Sequence, residues 1–154
     1  MILHGYGGKY LKFQFIGSSK LCYPLHSSFE ILVFSILENA IKYSPVSGDI
    51  RVRFQEIINA HCNKLTVFIE SEGPYCEPEE LSKVFSRGIR GKNATKIRVS
   101  GTGIGLYLFK TLADLHKISL EATSTKTKEI NGVLYGIFCV KMIFDETLLS
   151  EPNF

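Results

Sequence analysis

Two stretches carry residue types suited to holding a metal–polyphosphate. Ser100-Gly101-Thr102-Gly103-Ile104-Gly105-Leu106 places glycine at alternate positions, directly before the apolar-periodic run Tyr107-Leu108-Phe109-Lys110-Thr111-Leu112-Ala113. Without a Cβ, glycine lets the backbone approach an anion closely and adopt positive φ. A helix starting there adds free N–H donors and the positive end of its dipole. Upstream, Leu37-Glu38-Asn39-Ala40-Ile41-Lys42-Tyr43-Ser44-Pro45 ends another helical pattern. Its spacing puts Asn39, Lys42 and Tyr43 on one face. An amide oxygen can ligate Mg²⁺, a hard ion that prefers oxygen; an ammonium meets phosphate, and a ring covers a base or sugar. Alone, each stretch has a plainer reading: a glycine-rich turn, and a helix end with a solvated lysine and a half-buried tyrosine.

Between them, Ser71-Glu72-Gly73-Pro74 ends a strand pattern and turns. Pro78-Glu79-Glu80-Leu81-Ser82-Lys83-Val84-Phe85 follows, opening with proline and two acids as a helix N-terminus does. Arg87, Arg90, Lys92, Lys96 and Arg98 crowd residues 86–100, which lack periodicity and are predicted to form a mobile loop. A charge run is usually a solvated loop; this one leads straight into the glycines, which adds weight to a phosphate role beside that reading.

The elements that must position these residues follow from periodicity. Tyr10–Ile16 alternates as a strand, and Lys20–Tyr23 has the composition of a short one. Phe29–Tyr43 follows helical spacing, with Ser27 and Glu30 at capping-box distance and Ser44-Pro45 as its stop. Strand patterns recur at Asp49–Phe54 and Lys64–Ser71, joined through Ile57–Asn63. A helix is predicted near Ile104–Leu115, then strands at Ile118–Thr123 and Leu134–Ile143 around a polar turn at Thr125–Gly132. This order predicts an α+β fold: a two-layer sandwich, its mixed, mostly antiparallel sheet of about five strands carrying three main helices on one face. One domain is expected over residues 1–145, with a frayed tail over 146–154.

At 154 residues and 45% hydrophobic content the chain suits one domain with a substantial core. A net charge of +3, from 18 basic and 15 acidic residues, is too mild to argue for nucleic acid or a membrane surface. No apolar run reaches membrane-spanning length, and the start MILHGYGG lacks the pattern of a signal peptide. Cys22, Cys62, Cys76 and Cys139 form no C-x-x-C or zinc spacing and are expected as free thiols in a reducing compartment. A cytoplasmic domain is the expectation, whether or not a longer protein is membrane-anchored.

Taken together, these motifs resemble those of the ATP-binding domain of sensor histidine kinases. That domain belongs to the Bergerat-fold ATPases, with gyrase B, the ninety-kilodalton heat-shock chaperone and MutL. The resemblance covers roughly residues 10–145. ENAIKYSP is similar to the N box, EGPYCEPEELSKVF to the first glycine box running into the F box, and SGTGIGLYLFKTLADLH to the second glycine box and its helix. The resemblance implies that Asn39 holds Mg²⁺ bridging the ATP phosphates, Lys42 approaches phosphate, and Tyr43 flanks the nucleotide. It places Gly73 under adenine and Phe85 at the base of an ATP lid formed by residues 86–100. Arg87 or Arg90 would contact phosphate. Gly101, Gly103 and Gly105 let the chain wrap the triphosphate, with backbone N–H donors along this segment, Thr102 and Ile104 included. Leu106 would pack near the base, or serve simply as a core leucine.

Two positions depart from the family pattern. The first glycine box usually reads Asp-x-Gly-x-Gly, its Asp accepting from the adenine amino group. Here Ser71 stands for that Asp and Tyr75 for the second glycine. Alternation keeps Ser71 on the pocket side and sends Glu70 and Glu72 to the other face, while Tyr75 crowds the mouth. Exchanging a charge-assisted bond for a neutral one is expected to cost about 1–3 kcal/mol, roughly 5- to 150-fold in affinity. At Ser35, one turn before Asn39, hydrolytic members carry a glutamate base and many kinases an Asn. Serine has neither the basicity nor the reach, which argues against efficient ATP hydrolysis.

None of His4, His26, His61 and His116 begins a long amphipathic helix beside an acid, as the family's phosphoacceptor does. His116 ends a helix, where a dipole contact or exposure is expected. The reading is the catalytic ATP-binding domain of a protein histidine kinase in two-component signalling, positioning Mg-ATP for phosphoryl transfer to a histidine elsewhere. The dimerisation and phosphoacceptor domain and the response regulator are expected outside this chain. The alternative is a degenerate, non-catalytic module that binds nucleotide weakly or acts through a protein partner.

Overall fold

The computed structural model describes the backbone of residues 2–4, and residues 8–59, 61–97 and 99–151. Arg98, the side chain of His4 and residues 152–154 of the tail lie outside the described residues.

Strands β1 (Ile2–His4), β2 (Tyr10–Ile16), β3 (Ser47–Ile58), β4 (Asn63–Pro74), β5 (Ile118–Ile130) and β6 (Val133–Phe144) form one sheet in the order β1-β2-β3-β4-β6-β5. β2 and β3 are parallel and joined through helix α1 (Phe29–Tyr43); every other pairing is antiparallel. The sheet is therefore mixed and mostly antiparallel, as expected, with one strand more than the expected count because β1 pairs with β2.

Period-two alternation decides which side chains face the helices. On β4, Leu65, Val67 and Ile69 are buried, and the same parity carries Ser71 inward. Leu32 and Ile36 of α1, and Phe109 and Ala113 of helix α4 (Gly105–Leu115), pack onto them at i, i+4 spacing. The opposite face is polar: Lys128 pairs with Glu72 at 2.6 Å and Lys141 with Glu121 at 2.9 Å, and the Arg53 guanidinium covers the Phe68 ring at 3.8 Å.

Several boundaries differ from expectation. Helix α2 covers only Pro78–Leu81, after which i→i−3 bonds such as Ser86 N–H to Lys83 O continue the chain in tight turns. Residues 86–100, expected as a structureless loop, contain a short helix, α3 (Lys92–Lys96). The polar turn shrinks to Asn131-Gly132, both at positive φ, which suits a two-residue hairpin between twisted strands. Lys20–Tyr23 contributes a single bridge, Cys22 to Ser150. That bridge corrects the expected fraying for residues 146–151. Two backbone bonds, at 2.7 and 3.0 Å, tie residue 150 to residue 22, and Leu149 is buried in the core. All four cysteines are free thiols.

The expected Ser27/Glu30 capping box does not form. Ser28 is the N-cap residue, with no side-chain cap bond; its hydroxyl lies 3.1 Å from His116 Nε2 and 3.2 Å from His26 Nδ1 instead. Of the two alternatives for His116, it does stand at the C-terminal cap of the helix, and exposure is corrected. It is buried, and burial first, then the nearby His26, pushes its imidazole below the ordinary pKa.

Candidate functional site

The C-terminal half of α1, the end of β4 and the start of α4 converge on one cavity. Pro45 restricts the residue before it to extended backbone, so α1 stops at Ser44, whose ψ is 147° and whose hydroxyl bonds back to Ala40 O at 2.7 Å. Lys9, which the sequence did not single out, secures this end. Its ammonium donates to the carbonyls of Ile41, Lys42 and Ser44 at 2.9, 2.7 and 2.7 Å. Cations are favourable against the unpaired carbonyls of a helix C-terminus. The last turn of α1, which carries Asn39, Lys42 and Tyr43, is thus held from behind.

The cavity encloses about 270 Å³. Asn39, Lys42 and Tyr43 line it together with Ser71 and Gly73, residues 102–106 and Arg90. Gly101 stands at the rim: a Cβ built on it would lie 2.5 Å from Lys42 Nζ and 3.4 Å from the Tyr43 hydroxyl. Gly103 has φ +71°, and a Cβ there would fall 2.6 Å from the Gly88 carbonyl carbon. Gly105 opens α4 at its free N–H groups, with the Asn39 amide oxygen 3.9 Å from where its Cβ would be. A Cβ built on Gly73 would lie 3.5 Å from the Tyr43 carbonyl oxygen. Ser35, buried, bonds to Leu32 O at 2.9 Å and offers no base.

Three expected residues, Phe85, Arg87 and Gly101, are absent from the cavity lining. Arg87 is exposed and does not line the cavity, so Arg90 alone of the two arginines borders it. Phe85 packs against the main core cluster beneath the segment that follows it.

The segment 86–100 is tied down at several points. Gly88 N–H bonds to Gly103 O at 3.0 Å. One terminal nitrogen of Arg90 donates to Ala94 O and Val99 O at 3.1 and 2.9 Å, leaving its buried Nε without an acceptor among the described residues. Glu80 accepts from Glu77 N–H at 2.9 Å in a capping box and from Lys92 N–H at 2.7 Å, joining α2 to α3. Asn93, 3% exposed, donates to Tyr75 O at 2.9 Å and accepts from Leu134 N–H at 3.4 Å, pinning α3 to the ends of β4 and β6. The Glu-x-x-Glu spacing at 77–80 could have revealed the first tie; nothing local marks Asn93.

Cys76, Val84 and Phe138 supply apolar lining that the motifs did not indicate. The Cys76 thiol is pushed up to about 11 by burial, then by Glu80 and Glu77, and stays neutral. One end of the cavity is therefore apolar. The other carries Lys42, Arg90 and a helix N-terminus, an environment for negative charge.

A family model described as histidine kinase-, DNA gyrase B-, and HSP90-like ATPase matches residues 26–137. Histidine protein kinase SaeS of Staphylococcus aureus (strains USA300 and Newman among others) is 26% identical over 114 residues, covering 74% of this chain. The chain spans 32% of that relative's length. Among solved structures, the mycobacterial sensor histidine kinase MprB superposes with a TM-score of 0.57 at 22% identity, covering 86% of this chain and 82% of that one. The catalytic domain of histidine kinase ThkA, nucleotide-free, superposes with a TM-score of 0.58 at 18% identity, covering 86% and 80%. These likenesses show the fold.

Proposed function

The chain belongs to the family of histidine kinase-, DNA gyrase B-, and HSP90-like ATPases, and from that premise we propose that it is the ATP-binding catalytic domain of a protein histidine kinase. The observation that carries this is the convergence of Asn39, Lys42 and Tyr43 with Gly103 and Gly105 around one cavity, Gly101 standing beside Lys42 and Tyr43.

The base enters the apolar end, over Gly73 and beside Ser71, Leu106 and Phe138. The triphosphate lies along the glycine strip, where backbone N–H groups and the α4 N-terminus donate to it. Lys42 supplies positive charge from one side. Arg90 faces from the other, its unpartnered Nε–H suited to an anionic acceptor. Among the described residues no cluster of three His, Cys, Asp or Glu is placed to hold a metal. Mg²⁺ at the Asn39 amide would accordingly take most of its oxygens from phosphate and water; bound there, it would neutralise charge on the phosphates.

With Ser35 in place of an acidic base, water is not activated, and the domain's contribution is to position the γ-phosphate and stabilise its charge. The acceptor histidine, on a separate domain, would attack the γ-phosphorus as the bond to the β–γ bridging oxygen breaks and ADP leaves. His26 and His116 face each other at the junction of α1 and α4, their ring centroids 6.4 Å apart, and His116 is buried; neither lines the cavity. No helix among the described residues is long and apolar enough to cross a membrane.

Calorimetric titration with a non-hydrolysable ATP analogue, with and without Mg²⁺, tests the reading. Binding strengthened by Mg²⁺ supports it. Absence of binding at millimolar nucleotide excludes it and leaves the non-catalytic module acting through a protein partner.

A further inference from the structure

We infer that Ser71 makes the base pocket tolerant of 6-oxopurines, so that inosine and guanosine triphosphates are taken as well as the adenosine nucleotide. The inference rests on the reading above, that the base lies over Gly73 beside Ser71.

Ser71 is an inward residue of β4, set in register between Ile50 of β3 and Phe138 of β6 and only 8% exposed. It lines the cavity. Cys76, Val84, Leu106 and Phe138, around the same cavity, are apolar or neutral. No carboxylate substitutes for it. Both oxygens of Glu80 are committed to backbone N–H groups, Glu38 borders the cavity from an exposed position on α1 beside Asn39, and Glu72 is paired with Lys128 on the far side of the sheet. Ser71 is thus the polar side chain at the apolar end.

An ionised carboxylate only accepts hydrogen bonds, whereas a hydroxyl both donates and accepts and turns its hydrogen to suit. A carboxylate at this position would accept from a 6-amino group and set its lone pairs against those of a 6-oxo group. Serine accepts from the first and donates to the second by rotation about one bond. Strong discrimination comes from a site whose buried polar group is left unpaired by the wrong ligand. Ser71 is left unpaired by neither.

The test is calorimetric titration of the whole chain with Mg²⁺ and ATP, ITP or GTP. ITP lacks the 2-amino group and isolates position 6. The wild type is expected to bind ITP within about tenfold of ATP, and Ser71→Asp to widen that ratio by at least about tenfold. A wild-type preference for ATP above about tenfold overturns the inference while leaving the ATP-binding reading intact. Equal ratios in wild type and a folded Ser71→Asp variant overturn the role of Ser71. A wild type that binds none of the three overturns the reading on which the inference stands. If Ser71→Asp fails to fold, the wild-type ratio decides alone.

Discussion

Lys42 of α1 and Gly101 of the glycine strip meet so closely that a Cβ on Gly101 would stand 2.5 Å from the lysine nitrogen. The same ammonium lies 5.3 Å from the centroid of the Tyr43 ring. A helix end and a glycine strip nearly sixty residues apart in sequence thus form one wall. The missing side chain at residue 101 is what lets the ammonium sit over the backbone, where an anion would be received.

The two glycines of that strip predict different outcomes. In Gly101→Ala the methyl meets the far end of a flexible lysine, so binding of an ATP analogue should weaken by less than about tenfold, with the thermal midpoint unmoved. In Gly103→Ala the methyl meets the Gly88 carbonyl carbon at 2.6 Å, from a residue with φ +71°. A strained φ costs about 1–3 kcal/mol. Stability should fall, and affinity should fall by more than about tenfold, because the tie between Gly88 and Gly103 must open. Equal effects of the two variants on calorimetric affinity and melting would contradict this.

Asn93 bridges the α3 segment to Tyr75 and Leu134. Asn93→Ala strands a half-buried carbonyl and N–H and should cost about 1 kcal/mol. Hydrogen exchange across residues 91–97 should accelerate, while exchange in α1 stays slow. Unchanged protection of that segment would show that Asn93 does not hold it.

Lys9→Met removes a cation from three carbonyls at the end of α1. The expected loss is about 1–3 kcal/mol in denaturant unfolding, together with weaker nucleotide binding as Lys42 and Tyr43 lose their backing. A variant as stable as the wild type would mean that water replaces the ammonium without cost.

The lowered pKa of His116 gives a signed pH effect. The unfolded chain takes up this proton first, so the stability it concerns is complete above the ordinary histidine value of about 6.5. That stability declines as pH falls through this value towards the lower folded-state pKa. His116→Gln should reduce the drop in melting temperature between about pH 8 and pH 5.5. An identical drop in the variant would assign the pH dependence to other groups.

Much of this was legible from local pattern. The period-two run Leu65–Val67–Ile69 carries Ser71 into the cavity, and the spacing of Asn39, Lys42 and Tyr43 puts them on one face of α1; both follow from geometry that sequence encodes directly. The glycine strip was legible because alternate glycines before an apolar-periodic run suit positive φ, which Gly103 adopts at +71°. Asn131-Gly132 was equally local, and its two-residue turn narrows the broader polar span expected there. What stayed hidden depends on partners distant in sequence. Lys9 finds carbonyls more than thirty residues away, Asn93 reaches residues 75 and 134, and Ser150 pairs with Cys22. Arg87 and Arg90 are alike in composition, and only the path of the chain turns one to the cavity and the other to solvent.

The central claim is that the Asn39 amide and the glycine strip hold a magnesium-bound triphosphate between them. Titrating wild type and Asn39→Ala with an ATP analogue, each with Mg²⁺ and with EDTA, tests it most directly. The account predicts that Mg²⁺ strengthens binding to the wild type by about tenfold or more and leaves the folded variant indifferent. An Asn39→Ala protein that keeps the full magnesium enhancement would contradict it.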